Sequence, residues 1–243
     1  MGISYHGGAE CTEKAGFLPQ RTQRNHRGFT EKKHRVIVMR IFSGKFRGRV
    51  LKSPKDADVI RPTQGYLREA VFNICQHSVE GAEFLDLFAG TGAIGFEALS
   101  RGAKHVTFVD SSREAIKYIK ENARILGVEK NVTIIYGDAF KTVAKLAKRG
   151  MKYDIIYIDP PYAKKKHHDA SGEIYSGDKA LITAEDNGLI APSGTVFVEG
   201  PRSGWDDNID IKTLSLESSR SFSDSALRHF KKLKSPPAFN ISA

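Results

Sequence analysis

Asp159-Pro160-Pro161-Tyr162 is the segment of this sequence with the clearest chemical character. It follows Asp154-Ile155-Ile156-Tyr157-Ile158, an apolar run that reads as a buried parallel strand. Two consecutive prolines give up two N–H donors and stiffen the backbone, so carbonyl oxygens are left beside the Asp159 carboxylate. Such a site is rich in acceptors and has an aromatic ring next to it. It suits a planar substrate bearing an –NH2 group, whose hydrogens go to the acceptors while Tyr162 stacks on the ring. An aryl amine is a poor nucleophile because its lone pair is delocalised into the ring. Hydrogen bonds to Asp159 and the Pro160 carbonyl would localise that pair. Adenine, cytosine and guanine all present such an amine, and the four residues do not choose among them.

A second constellation lies upstream, in Phe84-Leu85-Asp86-Leu87-Phe88-Ala89-Gly90-Thr91-Gly92-Ala93-Ile94-Gly95. Gly90 to Gly95 has the spacing G-x-G-x-x-G, which in a strand–loop–helix context lets a backbone approach a ligand closely. The spacing alone is compatible with a nicotinamide dehydrogenase. Asp86 argues against that reading, because a carboxylate aimed at a pyrophosphate pocket would repel it, whereas it would favour a ligand carrying an ammonium group. Asp110 ends the next expected strand, where an acid can accept hydrogen bonds from both hydroxyls of a ribose. Asp138 ends the third, in Tyr136-Gly137-Asp138-Ala139-Phe140. Asp110 and Asp138 also stand where helix caps are expected, a role compatible with ligand binding.

The elements that must position these residues follow from periodicity. Strands are expected at Phe84–Phe88, His105–Asp110, Val132–Gly137, Asp154–Ile158 and Thr195–Glu199. Helices are expected at Gln64–His77, Thr91–Arg101, Ser112–Leu126 (capped by Ser111 or Ser112 and closed by Gly127), Ala139–Arg149 and within Asp178–Gly188. This alternation predicts a parallel sheet covered on both faces. Ile209–Leu216 and Ala226–Leu233 read as a final hairpin added antiparallel to it. Residues 1–38 show no sustained apolar period and are expected to be a poorly ordered basic extension; translation could equally start at Met39. Residues 39–78 read as a small basic module, a hairpin from the runs Val36–Phe42 and Arg49–Leu51 followed by a helix. Residues 81–243 form the main domain.

The chain has 243 residues, 38 Lys plus Arg against 28 Asp plus Glu, and a net charge of +10. That balance favours a polyanionic partner. Removing residues 1–38 takes away seven Lys/Arg and three acids, so the basicity survives. Arg40, Lys45, Arg47, Arg49 and Arg61 cluster in a segment the sheet does not need and are candidate phosphate contacts; Lys164-Lys165-Lys166 is a second candidate. No apolar run approaches the ~20 residues of a membrane span, the start lacks the layout of a secretory signal, and two cysteines are too few for a disulfide framework or zinc site. A cytoplasmic location is expected.

These motifs carry a family resemblance. Phe84–Gly95 resembles the first motif of S-adenosylmethionine-dependent methyltransferases. Asp159–Tyr162 resembles the (Asn/Asp)-Pro-Pro-(Tyr/Phe) signature of methyltransferases acting on exocyclic amines of bases or on glutamine side chains. Met39-Arg40-Ile41-Phe42-Ser43-Gly44, Arg47-Gly48, Arg61-Pro62-Thr63, Arg68-Glu69, Phe72-Asn73 and Glu97-Ala98-Leu99-Ser100-Arg101-Gly102 add, in order, a resemblance to the RsmD-type enzymes, which methylate N2 of a guanine in bacterial 16S ribosomal RNA. The likeness runs from Met39 to about Phe230. It departs at Gln64-Gly65-Tyr66 and at Ser221-Phe222-Ser223-Asp224, where the terminal hairpin is expected to differ in shape.

The resemblance implies a Rossmann-like class I methyltransferase fold using S-adenosylmethionine, with no metal and no covalent intermediate. It implies that Asp86, Phe88, Ala89, Gly90, Thr91 and Gly92 hold the methionine end, Asp110 the ribose, and Asp138 with the Ala139 N–H the adenine. Asp159, Pro160, Pro161 and Tyr162 would be the catalytic set. The implied partner is 16S ribosomal RNA, within an assembling small subunit, and the enzyme is expected to be a monomer. A DNA or protein-glutamine methyltransferase and a non-catalytic ribosome-binding protein are the rival readings.

Overall fold

Five parallel strands and two antiparallel ones build one seven-stranded sheet in the computed structural model, which describes residues 39–54, 62–161, 176–202 and 209–234. The chain divides into two units, Met1–Arg35 and Val36–Ala243, and every described residue falls in the second. The elements are α1 Pro62–Ile74, β1 Glu83–Leu87, α2 Ala93–Ser100, β2 His105–Asp110, α3 Arg113–Leu126, β3 Val132–Tyr136, α4 Ala139–Lys148, β4 Tyr153–Ile158, α5 Ser176–Asp186, β5 Ile190–Pro201, β6 Leu214–Phe222 and β7 Ser225–Lys232. A 3-10 turn, Glu129–Asn131, leads into β3.

The strand order is β3-β2-β1-β4-β5-β7-β6, with β1 to β5 parallel and β7 antiparallel to both neighbours. The chain runs outward from β1 to β3, then returns to place β4 on the other side of β1. The C-terminal ends of β1 and β4 therefore flank the crevice where open α/β sheets bind ligands.

Alternation along each strand divides the core in two. Phe84, Ile155, Tyr157 and Phe197 lie on the face that also packs α1, α2 and α3, through residues such as Val71, Phe72, Phe96 and Ile119. Leu85, Leu87, Ile156, Ile158 and Val198 lie on the face that packs α4 and α5. Helix α3 presents Ile116, Ile119, Ala123 and Leu126 inward. Ser112 starts it, accepting from the Ala115 N–H at 3.3 Å, and Gly127 closes it.

Several boundaries differ from expectation. Helix α1 begins at Pro62 instead of Gln64, since a proline's fixed φ suits a first helical turn. Strand β5 starts at Ile190 instead of Thr195. Its pairing with β4 shifts register between Tyr153 and Ile155, and Ser193 sits at φ 62, so the early part reads irregularly. The first arm of the terminal hairpin is Leu214–Phe222, not Ile209–Leu216. Ile209 and Ile211 pack on the second core from an irregular segment, while the true arm is a polar edge strand that gives no apolar alternation. The expected basic hairpin is present over its described part, Met39–Leu51, with one antiparallel bridge, Arg40 to Val50; residues 36–38 of its first run lie outside the described residues. The extension 1–38, Arg61, Tyr162 and Lys164–Lys166 lie outside the described residues.

Candidate active site

Asp86 is a carboxylate in the middle of a strand otherwise buried on both faces, and it is itself 2% exposed. Burying a carboxylate there is costly unless something compensates. One compensation is present: the Gly95 N–H, in the first turn of α2, donates to its Oδ2 at 3.1 Å. Burial nevertheless pushes the Asp86 carboxyl well above the usual carboxylate range; the Gly95 N–H opposes this and the nearby Asp110 charge adds to it.

The loop that follows is shaped by unusual backbone. Phe88 adopts φ 65, a left-handed conformation disfavoured for a side chain of its size. Gly92 stands at φ 79, and a Cβ there would fall 2.8 Å from the Phe96 ring. The loop bends sharply at the strand end and exposes Phe88 to Thr91 only in part. Strain of this kind is characteristic of ligand-binding loops. Phe88 meets Phe140 edge to face at 6.3 Å, which joins the loop to the start of α4.

Asp110 holds the loop in place. Its Oδ2 accepts from the Gly90 N–H at 2.8 Å and its Oδ1 from the Ser112 N–H at 2.7 Å. The carboxylate plane is thereby fixed, and each oxygen keeps a free lone pair for a hydroxyl. Asp110 is not the cap of α3, a role taken by Ser112. Asp138 does cap α4, accepting from the Lys141 N–H at 2.9 Å, and remains exposed, with Ala139 buried behind it.

Asp159 follows β4 beside β1, where the Asp159 N–H approaches the Leu87 carbonyl at 3.4 Å. Pro160 is buried and Pro161 exposed, so the motif runs from core to surface within two residues. Enclosure by protein pushes the Asp159 carboxyl well above the usual range, and the charges of Glu199 and Asp86 add to it. Glu199, in β5, is buried and accepts from the Tyr157 hydroxyl at 2.5 Å. Asp86, Asp159 and Glu199 thus concentrate negative potential at the β1–β4 crevice. Such a cluster is complementary to a cationic ligand. Glu199 and Tyr157 were not singled out in the sequence; the signal was an acid closing the apolar run Thr195–Val198, the pattern that marked Asp110 and Asp138.

The basic hairpin is built into the same face. Buried Glu97 of α2 accepts from the N–H groups of Phe42 at 2.7 Å and Ser43 at 2.9 Å, and from Arg101 Nε at 2.9 Å. The Ser100 hydroxyl donates to the Ser43 carbonyl at 2.5 Å and accepts from the Phe46 N–H at 2.9 Å. Gly44 is at φ 79, and a Cβ there would lie 1.8 Å from the Ser100 carbonyl oxygen, so no side chain fits. Arg40, Lys45, Arg47 and Arg49 are exposed on this hairpin. Asn122 of α3 connects it to the glycine loop: Oδ1 accepts from the Lys52 N–H at 2.7 Å, and Nδ2 donates to the Lys52 and Thr91 carbonyls at 3.1 and 3.2 Å.

Comparison with known proteins agrees with this arrangement. The model of the family described as conserved hypothetical protein 95 matches residues 39–231. The Bacillus subtilis protein YlbH is 39% identical over 165 residues, 68% of this chain and 83% of its own length. Ribosomal RNA small subunit methyltransferase D of Escherichia coli K12 is 32% identical over 161 residues, 66% of this chain and 74% of its own. Among solved structures, Escherichia coli yhhF superposes with a TM-score of 0.66 at 26% identity, covering 80% of this chain and 98% of that one. With the glycine loop, the strand-end acids and the Asp-Pro-Pro turn on one crevice and the matching family model spanning hairpin and sheet together, the chain belongs to the conserved hypothetical protein 95 family, that of the RsmD-type methyltransferases.

Proposed function

We propose that the protein transfers a methyl group from S-adenosylmethionine to the N2 amine of a guanine in 16S ribosomal RNA, acting in the cytoplasm as a monomer on an assembling small subunit. The observation that carries this reading is the placement of Asp159-Pro160-Pro161 beside the acidic glycine loop at the β1–β4 crevice. The choice of ribosomal RNA is supported by the name of the Escherichia coli relative and by the net charge of +10.

The residues present fit the cofactor. Buried Asp86, paired with no cation among the described residues, suits its ammonium group; Asp110, held by the Gly90 and Ser112 N–H groups, suits the two ribose hydroxyls; Asp138 and the Ala139 N–H suit the adenine edge. Phe88 to Gly92 would pack against the methionine end. When bound, S-adenosylmethionine supplies an electrophilic methyl group on a sulfonium.

The protein's part is positioning and electrostatics. Asp159 and the Pro160 carbonyl accept the hydrogens of the amine, localise its lone pair and aim it along the axis of displacement, while Tyr162 stacks on the base. The target base must leave its stack to reach them. Residues 39–78 act as a basic module for the RNA, with Arg40, Lys45, Arg47, Arg49 and Arg61 on phosphates, which fix register without reading sequence. Residues 81–243 form the catalytic domain, and residues 1–38 a basic extension.

Mapping modified nucleotides in 16S RNA from a strain lacking the gene, with and without the gene restored, tests the proposal. Loss and return of one N2-methylguanine is the expected result. An unchanged map overturns it. Loss of a methyl group from adenine or cytosine would retain the transfer chemistry and reject guanine.

A further inference from the structure

Glu199 and Tyr157 have no part in the mechanism above, yet they are buried against its centre. The partners Ile158 and Val198 close the register of β4 with β5, which makes Asp159 and Glu199 the next facing pair. Tyr157 shares its sheet face with Phe197, and Asp86 pairs in register with Tyr157 on β1. Three carboxylates and a phenol thus occupy one face at one end of the sheet.

Their hydrogen bonding is unequal. Glu199 Oε2 accepts from the Tyr157 hydroxyl at 2.5 Å, the length of a charge-assisted O–H···O⁻ bond. Among the described residues no donor reaches the Asp159 carboxylate. Two neighbouring carboxylates cannot both ionise freely, and the one with the donor keeps its charge more easily. The pair therefore divides its roles, with Glu199 charged and Asp159 the oxygen acid that gains and loses the proton.

We infer that Glu199 is a positioning residue for methyl transfer: held by Tyr157 beside Asp159, its charge makes Asp159 the acceptor of the proton that the methylated amine must shed. This rests on the methyl-transfer reading. The amine nitrogen forms a bond to the methyl carbon as the carbon–sulfur bond breaks, and that electron pair stays on sulfur as a neutral thioether. The nitrogen is left with a positive charge and one hydrogen too many. That proton passes to an Asp159 oxygen and from there to water, so no further reactant is needed. The raised proton affinity of Asp159, caused by enclosure and then by Glu199 and Asp86, agrees with this role.

Other charged groups face the cluster. Asp110 stands beside Asp86, Arg68 of α1 comes within electrostatic range of Tyr157, and Glu97 of α2 and Arg101 at its C-terminal end lie next to Arg68. On β7, His229 stacks on Phe197 at 5.0 Å. Arg68 and Arg101 are held, respectively, on the Arg40 carbonyl and on Glu97, the latter in an ion pair of 2.9 Å.

The test is a carboxyl titration by 13C NMR of the full chain, together with the pH profile of methyl transfer to 16S RNA. Glu199→Gln keeps an acceptor for Tyr157 and removes the charge. The Asp159 midpoint should fall by about one pH unit or more, and the acid limb of the activity profile should move down with it. A merely structural Glu199 would lower activity without moving either. Should Glu199→Gln not fold, the reciprocal variant serves, since coupling is mutual: Asp159→Asn should lower the Glu199 midpoint. Unmoved midpoints with an active wild-type enzyme overturn this inference alone. A wild-type chain that transfers no methyl group to RNA overturns the methyl-transfer reading, and this inference with it.

Discussion

Cofactor affinity should rise with pH, and by an amount that buried Asp86 and half-buried Asp159 define. In the free site the carboxyls of Asp86 and Asp159 are both pushed above the usual range, first by burial and then by neighbouring negative charge. They hold protons to higher pH than a free acid, whose value is about 4. A ligand bearing ammonium and sulfonium charges favours their ionised forms, so binding expels protons. Each proton expelled makes affinity rise up to about tenfold per pH unit, until the pH exceeds the free-site value. Two such groups give a slope of about one to two decades per unit below that point and a plateau above it. Titration calorimetry between pH 5 and 8 measures this directly, in buffers of different ionisation enthalpy. S-adenosylhomocysteine, which lacks the sulfonium but keeps the ammonium, should retain the share due to Asp86 and lose much of that due to Asp159. Asp86→Asn should flatten the remaining slope and weaken binding at neutral pH by about 1.5–3 kcal/mol, roughly 10- to 150-fold. Stability supplies the sign check. An acid whose folded value lies above its unfolded one contributes most below the unfolded value and loses that contribution as pH rises through the folded value. The melting temperature of free Asp86→Asn should therefore gain on wild type with increasing pH. Proton-free binding at every pH, or a melting difference that does not change with pH, would refute the reasoning.

Asp159→Ala should abolish methyl transfer while leaving S-adenosylhomocysteine affinity within a few-fold by calorimetry; near-normal turnover would remove it from the mechanism. Glu97→Gln should destabilise the fold by about 3 kcal/mol in denaturant unfolding, because a buried charge that receives two backbone N–H groups and Arg101 is lost. A change below about 1 kcal/mol would mean that the hairpin is held elsewhere. Neutralising Arg47 and Arg49 together should weaken RNA binding and flatten its salt dependence by roughly one to two units, with cofactor binding unchanged. An unaltered salt slope would move the phosphate contacts off the hairpin.

The placement of the candidate site residues in the fold was largely legible, because they are written in short spans. Asp86, Asp110 and Asp138 each sit at or in an apolar run short enough to be one strand, so period and residue type suffice to place them at one edge of a parallel sheet. The Asp-Pro-Pro turn was legible for the same reason. The anchoring of the basic hairpin was not. Phe42 and Glu97 are 55 residues apart, as are few local signals, and a glutamate in a helix reads as solvent-facing until its partners are known. Strand β6 was misplaced because an edge strand with one open side needs little apolar alternation, and Leu214-Ser215-Leu216-Glu217-Ser218-Ser219-Arg220-Ser221-Phe222 has little. Glu199 closes an apolar run as Asp110 and Asp138 do, but its bearing on Asp159 is not written in the sequence, since it depends on β4 lying beside β5.

The buried polar contacts explain why the basic segment was expected to be a separate module and yet shares a core with the sheet. Its charged side chains face solvent, which makes it look detachable in sequence, but its backbone is the part that is held. Glu97 and Ser100 take up the hairpin's N–H and carbonyl groups, and Ile41 and Leu51 are buried in the same cluster as Phe72 and Phe96. Fixing the backbone and leaving Lys45, Arg47 and Arg49 exposed would suit the proposed phosphate grip, because the charges would keep a near-constant position relative to the crevice while each side chain adapts. Asn122 carries that constancy to the chemistry. One buried amide bonds both Lys52, at the end of the hairpin segment, and Thr91, in the glycine loop. Hairpin and loop cannot shift independently without leaving one of its groups unpaired, at a cost of about 1–3 kcal/mol. On the proposed reading, the distance from a phosphate held by the hairpin to the methyl donor would therefore be set by the fold itself.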